Sequence, residues 1–267
     1  MHVFAVASQK GGVGKTTVAL NLAFAFAQRG WPTLIVDTDP LGAIGLSLAK
    51  RVIQSPGLAD CISGQARVDE SILQTKLREL RVLTAGQIAA TEAMRLHQRL
   101  EDGRALASVL EETAFEVVII DTPSGFVGAT LGALRNADQV ICPVQAEPVA
   151  ARTMLKIFDV LGELRGEGSR VELAGFLLTM AQAQDATSAA IIEDLRAKVP
   201  EELVLPALVP RAPCFLEASG AGVPVGLLRR RPPPEAHIFD HLAEELERRS
   251  PLRGRAEAVD GPIPLLD

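Results

Sequence analysis

Residues 3–17, VFAVASQKGGVGKTT, constrain the fold more than any other stretch of the chain. Residues 3–7 are apolar and read as a short buried strand. Residues 18–27 are apolar and alanine-rich and read as a helix. Between them stands Lys10-Gly11-Gly12-Val13-Gly14-Lys15-Thr16-Thr17. Strand, glycine-rich turn and helix form the setting that a phosphate-binding loop needs. Consecutive glycines let backbone N–H groups turn inward and approach phosphate oxygens with no Cβ in the way. The helix that follows points its positive end at the same anion. In such a loop Lys15 reaches the β and γ phosphates and Thr16 places its hydroxyl on Mg²⁺. The strict pattern GxxxxGK[ST] fails at its first position, where Gln9 stands, and Lys10 adds a second lysine at the head of the loop. A glycine-rich turn with two solvated lysines is the bland alternative. The flanking strand and helix argue against it.

Composition narrows the rest. The chain has 267 residues, enough for one large α/β domain or two small ones. Its net charge of −6 means that any nucleic-acid surface has to be a local patch. No N-terminal signal peptide is read, since the first strand leads directly into the loop, and no apolar run is long enough to span a bilayer. Cys61, Cys142 and Cys214 are odd in number, far apart and without a CxxC pair, which reads as reduced cytosolic thiols rather than a metal or cluster site.

Along the chain, strand-like runs alternate with helical ones. A second buried strand, residues 33–36, ends in Asp37-Thr38-Asp39-Pro40, and carboxylates at a strand's C-terminal edge sit where open α/β sheets bind ligands. Residues 41–80 are broken by glycine and proline and resist assignment, apart from a helical turn or two at 58–62. A strand is expected at 80–84, and two helices within 89–112, divided near Asp102-Gly103. The strand FEVVII, residues 115–120, is closed by Asp121, a carboxylate placed to hold Mg²⁺ through a water. Further helices are expected at 127–135, 148–164, 188–199 and 235–249, and strands at 139–144, 171–180 and 203–209, with residues 220–224 as a loop. The predicted fold is α/β: a single doubly wound, mostly parallel sheet of seven or eight strands flanked by helices. It spans residues 1–250, with 251–267 as a loose, Pro- and Gly-containing tail.

These residues resemble a known family. KGGVGKTT is similar to the deviant phosphate loop of the ParA/MinD group of ATPases, whose extra lysine lies where Lys10 does. Residues 36–40, VDTDP, resemble that group's second motif VDxDPQG, with Leu41 in place of the glutamine. Residues 120–123, IDTP, and 137–144, ADQVICPV, resemble its later motifs. Residues 209–225, VPRAPCFLEASGAGVPV, look like the segment that distinguishes ParA from its cousins. The resemblance implies ATP and Mg²⁺ as ligands. It implies phosphate binding by Gly11, Gly12, Val13, Gly14, Lys15, Thr16 and Thr17, and metal binding through Thr16 and Asp121. It implies catalytic roles for Lys10, Lys15 and Asp39. Lys10 would reach a partner subunit's nucleotide, and Asp39 would position the attacking water. Met180, Pro210 and Arg211 would hold adenine, and Glu147 would join the dimer face.

The resemblance further implies a slow switch: a homodimer formed on ATP, non-specific binding to nucleoid DNA, and hydrolysis stimulated by a ParB-like or cargo-adaptor protein. The cargo would be a chromosome or plasmid complex or a protein assembly. The expected location is cytoplasmic and nucleoid-associated. Arg229, Arg230 and Arg231 are the candidate DNA contacts, with Arg211 and Arg196 as further ones; the run reads equally well as a solvated turn before Pro232-Pro233-Pro234. A MinD-like membrane-associated division-site ATPase is the alternative. The chain after Pro251 lacks a basic amphipathic helix, so no stable membrane association is expected. Enzymes on this fold that need cluster cysteines or a tyrosine cluster are excluded, since the chain has no CxxC pair and no tyrosine; an amidoligase is not.

Overall fold

A computed structural model describes residues 1–42, 44, 55–147, 153–182, 186–250 and 252. Eight strands form one sheet: β1 (His2–Val6), β2 (Thr33–Asp37), β3 (Leu73–Gln74), β4 (Leu80–Leu83), β5 (Val117–Asp121), β6 (Gln139–Gln145), β7 (Glu172–Ala181) and β8 (Val204–Pro210). Their order is β3-β4-β2-β5-β1-β6-β7-β8, and every pairing is parallel except β3 with β4.

The apolar runs read from the sequence are unbroken because both faces of the sheet are covered. Side chains alternate across a strand. Phe4 and Val6 of β1, with Val117 and Ile119 of β5, join the core on one face. Val3 and Ala5, with Val118 and Ile120, join the core on the other. The first face is covered by α1 (Lys15–Gln28) and a C-terminal helix (Ala236–Arg249). The second is covered by helices at Ala90–Glu101, Arg104–Glu111, Ala129–Asn136, Lys156–Gly166 and Ala186–Lys198.

The central helix α1 has 11 of its 14 residues buried, and its alanines let it lie between the sheet and the C-terminal helix. A helix apolar all round can only be a buried one. Gly30 ends it with φ +84°; its N–H bonds Ala27 O while Trp31 N–H bonds Phe26 O, so a left-handed turn satisfies the last carbonyls.

The two helices expected within 89–112 divide at Gly103, whose φ is +78°. The expected strands and the C-terminal helix are present within a residue or two of their predicted ends. The elements left unread include the short antiparallel β3, a one-turn helix at Val68–Ser71, and a helix, Pro213–Ala221, that runs into the loop expected at 220–224. That helix starts with Pro213 at its first position and buries only Cys214 and Ala218, so it shows little apolar period. Residues 148–152 of the expected 148–164 helix, and the 251–267 tail apart from Leu252, lie outside the described residues. Among the described residues no helix is long and apolar enough to cross a membrane.

Candidate functional site

The parallel sheet brings the C-terminal ends of β1, β2, β5, β6, β7 and β8 to one edge, and the site is built there. Residues 7–14 leave β1 and enter α1 at Gly14, which adopts φ +91°; Gly12 adopts φ +74°. A Cβ at either glycine would meet nothing within 4 Å, so it is the backbone conformation that requires glycine there. No side chain caps α1, which leaves the N–H groups of its first turn to an anion.

The loop is pinned from several strands. Val13 is buried, and its carbonyl accepts the Thr179 hydroxyl of β7 at 2.9 Å. Thr122 Oγ1 donates to Val6 O at 2.9 Å and Thr38 Oγ1 to Asp121 O at 2.7 Å, which locks β1, β5 and β2 together. Asn21 Nδ2 donates to Thr17 O at 2.8 Å, and its Oδ1 accepts Val225 N–H at 2.7 Å, tying α1 to the C-terminal segment.

Lys15 is buried. Its ammonium donates to Ser124 Oγ at 2.9 Å and to Lys10 O at 3.4 Å, and burial pulls its pKa down against the opposing pull of Asp121 and Asp39. Lys10 turns to β6, where its ammonium pairs with Glu147 and donates to Gln145 Oε1 at 3.3 Å. Both loop lysines are thus occupied within one chain, Lys15 inward and Lys10 at the rim.

Three carboxylates converge at the ends of β2 and β5. Asp37 is fully buried; Asp39 N–H and Ile44 N–H each donate to it at 3.0 Å. Burial, and then Asp121, push its pKa well up. Asp39 accepts Leu41 N–H on Oδ1 at 2.9 Å and so closes its own turn, the bland role for an aspartate before proline, while its side chain stays on the site edge. Asp121 is fully buried, and neither carboxylate oxygen has a hydrogen-bond partner among the described residues. Burial raises its pKa to about 7, against the pull of Thr16 and Lys15. An orphaned buried carboxylate beside a threonine hydroxyl and a phosphate loop fits a divalent cation. Thr16 and Asp121 would hold that ion, and bound there it would neutralise phosphate charge.

At the other end, β7 and β8 slip register between Thr179 and Ala181, and Met180 takes φ +53°. A non-glycine residue forced into the left-handed region marks a place the fold over-determines. Ala181 pairs with Pro210 and accepts Arg211 N–H at 3.0 Å, so Met180, Pro210 and Arg211 meet beside the loop. Next to them a cleft of about 150 Å³ is lined by Thr16, Thr17, Leu20, Asn21, Phe215, Ala218, Ser219 and Val223. Arg229 is paired to Glu217 at 2.6 Å, while Arg230, Arg231 and Arg196 are exposed; none contacts the phosphate loop among the described residues. Ser124 and Asn21 were not singled out in the sequence, and Asp37 was read only as a carboxylate at the strand's edge, with no role of its own. Ser124 could have been found as a polar residue three positions beyond Asp121.

A doubly wound parallel sheet, a glycine loop feeding an uncapped buried helix and a buried carboxylate on the neighbouring strand define a P-loop nucleotide-binding protein. The comparisons with known proteins narrow this. The family model described as "AAA domain" matches residues 1–173. The chromosome partitioning protein ParA of Caulobacter vibrioides is 33% identical over 84% of this chain and 86% of its own length. The chromosome-partitioning ATPase Soj of Thermus thermophilus is 32% identical over 91% of this chain and 94% of its own. A solved structure of cobyrinic acid a,c-diamide synthase from Mycobacterium smegmatis, with bound ATP analogue and magnesium, superposes with TM-score 0.76 at 27% identity, covering 97% of this chain and 99% of that one. The chain belongs to the ParA/MinD family of P-loop ATPases.

Proposed function

We propose that this chain is a ParA-like ATPase switch whose subunits join on ATP and Mg²⁺, bind nucleoid DNA without sequence preference, and so segregate or position a cargo. A partner protein, ParB-like or a cargo adaptor, stimulates hydrolysis and resets the switch. In this reading Lys15, the loop glycines, Val13, Thr16 and Thr17 hold the phosphates, and Met180, Pro210 and Arg211 hold the base. Thr16 and Asp121 hold the metal, and Asp39 orients water. Lys10 delivers positive charge to the partner subunit's nucleotide, where negative charge grows during phosphoryl transfer. The whole lies in one ATPase domain, residues 1–250.

One observation carries the reading. Lys15 turns into the loop while Lys10, half-buried at its rim, pairs with Glu147 instead of entering its own phosphate site, and this division of the two ammonium groups supports the reading. The two partitioning relatives, similar over more than four-fifths of this chain, supply the biological setting. Asp39→Ala protein, held in its ATP form, should bind unrelated DNA sequences in a salt-sensitive way; absence of such binding sinks the DNA half of the proposal. The likeness to the diamide synthase favours a second reading, an ATPase that acts on a small molecule. Turnover with ATP alone, unchanged by DNA but raised by a small carboxylic acid, would select it.

A further inference from the structure

Ser124 lies three residues beyond Asp121, in the turn that leaves β5. Its side chain is exposed over the phosphate loop, and its Oγ accepts the Lys15 ammonium at 2.9 Å. It stands so close to the loop backbone that a Cβ on Gly11 would come within 3.2 Å of Oγ. The turn is anchored to the end of β1, where Gly125 N–H donates to Ser8 O at 3.1 Å, and Gly125 takes φ +91°. The hydroxyl is therefore held over the head of the loop rather than free to wander.

The strand order says which part of a nucleotide lies there. The cleft beside Thr16 and Thr17 is walled by the Pro213–Ala221 helix, which follows β8 on one side of β1. Asp121 and Asp39 follow β5 and β2 on the other side. A nucleotide with its base on the β7–β8 side runs its phosphates across β1 toward β5, and its terminal phosphoryl group comes to the gap where Ser124 stands. A hydroxyl has one proton to donate and two lone pairs. While Ser124 accepts from Lys15, its own proton remains to be given to an anionic oxygen.

We propose that Ser124 is a nucleotide-discriminating residue, one that holds the Lys15 ammonium in the nucleotide-free chain and donates to the terminal phosphoryl group of a bound triphosphate. The contact exists for a triphosphate and not for a diphosphate, so Ser124 makes the turn after β5 sense which is bound. This deepens the phosphate-site assignment of the proposed function and rests on it.

The test is a titration at nanomolar protein, where subunits stay single, with ADP and with a non-hydrolysable ATP analogue, each with Mg²⁺. Ser124→Ala should weaken the analogue about tenfold, as expected for one lost hydrogen bond to a charged group, and change ADP less than about twofold. Ser124→Thr, which keeps the hydroxyl, should restore the preference. An equal change for both nucleotides, no change for either, or failure of Ser124→Thr to rescue would overturn the proposal. Should the unaltered protein bind neither nucleotide, the phosphate-site assignment itself fails, an outcome distinct from these.

Discussion

Lys10 and Glu147 form an ion pair within one chain, across the ends of β1 and β6, and Gln145 shares the same ammonium at 3.3 Å. In the proposed switch Lys10 cannot serve a second subunit while it is held this way, so the pair would oppose ATP-dependent association. Both side chains are about one-third exposed, at 33% and 31%, so solvent screens the attraction and the cost of parting them is at most about 1 kcal/mol. Glu147→Gln should therefore lower the protein concentration needed for ATP-dependent dimerisation by a few-fold, within about fivefold. Lys10→Ala should lose the dimer while keeping ATP affinity. Sedimentation with a non-hydrolysable ATP analogue reads both. Weaker dimerisation of Glu147→Gln would instead make Glu147 part of the dimer face itself.

Burying Asp121 imposes a cost on the folded chain, which a divalent cation bound there would relieve. Its pKa is raised from 3.8 to about 7, chiefly by burial. Between those values the folded chain binds a proton that the unfolded chain has released, so stability falls as pH rises through that window. Asp37, displaced in the same direction, adds to the slope. The destabilisation fully present above pH 7 is on the order of a few kcal/mol. Asp121→Asn should flatten the slope and raise the melting temperature at pH 8 without nucleotide, while removing the further stabilisation that Mg²⁺ and ATP give the unaltered protein. Thermal melts at pH 5 and pH 8, with and without ligand, decide it. An Asn variant that melts lower at pH 8 would show that the carboxylate has a partner.

Glu247 anchors the C-terminal helix rather than decorating it. Its Oε1 accepts Trp31 Nε1–H at 2.6 Å and its Oε2 accepts Arg29 Nε–H at 2.8 Å, with the Arg29 Nη2 group also bound to Oε2. Removing this carboxylate leaves an indole N–H and a guanidinium partly buried at the C-terminal end of α1. Glu247→Ala should cost about 2–3 kcal/mol, and Glu247→Gln, which keeps one acceptor, less than half of that. Denaturant titration measures it. A loss under about 0.5 kcal/mol for the alanine variant would mean that apolar packing of Phe239, Leu242 and Leu246 holds the helix alone.

How much of this was legible in the sequence depends on where the determining interactions lie. The β1–loop–α1 unit is local: glycines at positive φ, an apolar strand before them and an alanine-rich helix after, all within 30 residues. Asp121 was legible because it ends a strand buried on both faces. Glu247 was not. In sequence it reads with Asp240, Glu244 and Glu245 as an acid on the solvent side of the C-terminal helix, and only the fold brings Trp31 to it, 216 positions away. The Pro213–Ala221 helix was missed for a related reason. It is short, leaves Leu216 80% exposed, and is held by its place between α1 and the Val225 turn rather than by its own apolar pattern. Ser124 looked like part of a turn until Lys15 was found against it.

The arginine run before the C-terminal helix divides into unequal members. Arg229 already pairs with Glu217, which raises its pKa further, whereas Arg230 and Arg231 are exposed on the same turn. A guanidinium paired with a carboxylate offers a phosphate little net charge, so any DNA contact here rests on Arg230 and Arg231. Each phosphate neutralised contributes about 0.9 to the slope of log affinity against log salt. Replacing both residues by alanine should lower that slope by about 2 per subunit and weaken binding equally across unrelated sequences, because phosphate contacts carry no sequence information. Arg229→Ala should change the slope by much less. Binding of the ATP-held protein to two unrelated duplexes over a range of salt measures all three variants. A slope unmoved by the double replacement would leave Arg230 and Arg231 as a solvated turn and send the search for the DNA surface to Arg196 and Arg211, both exposed.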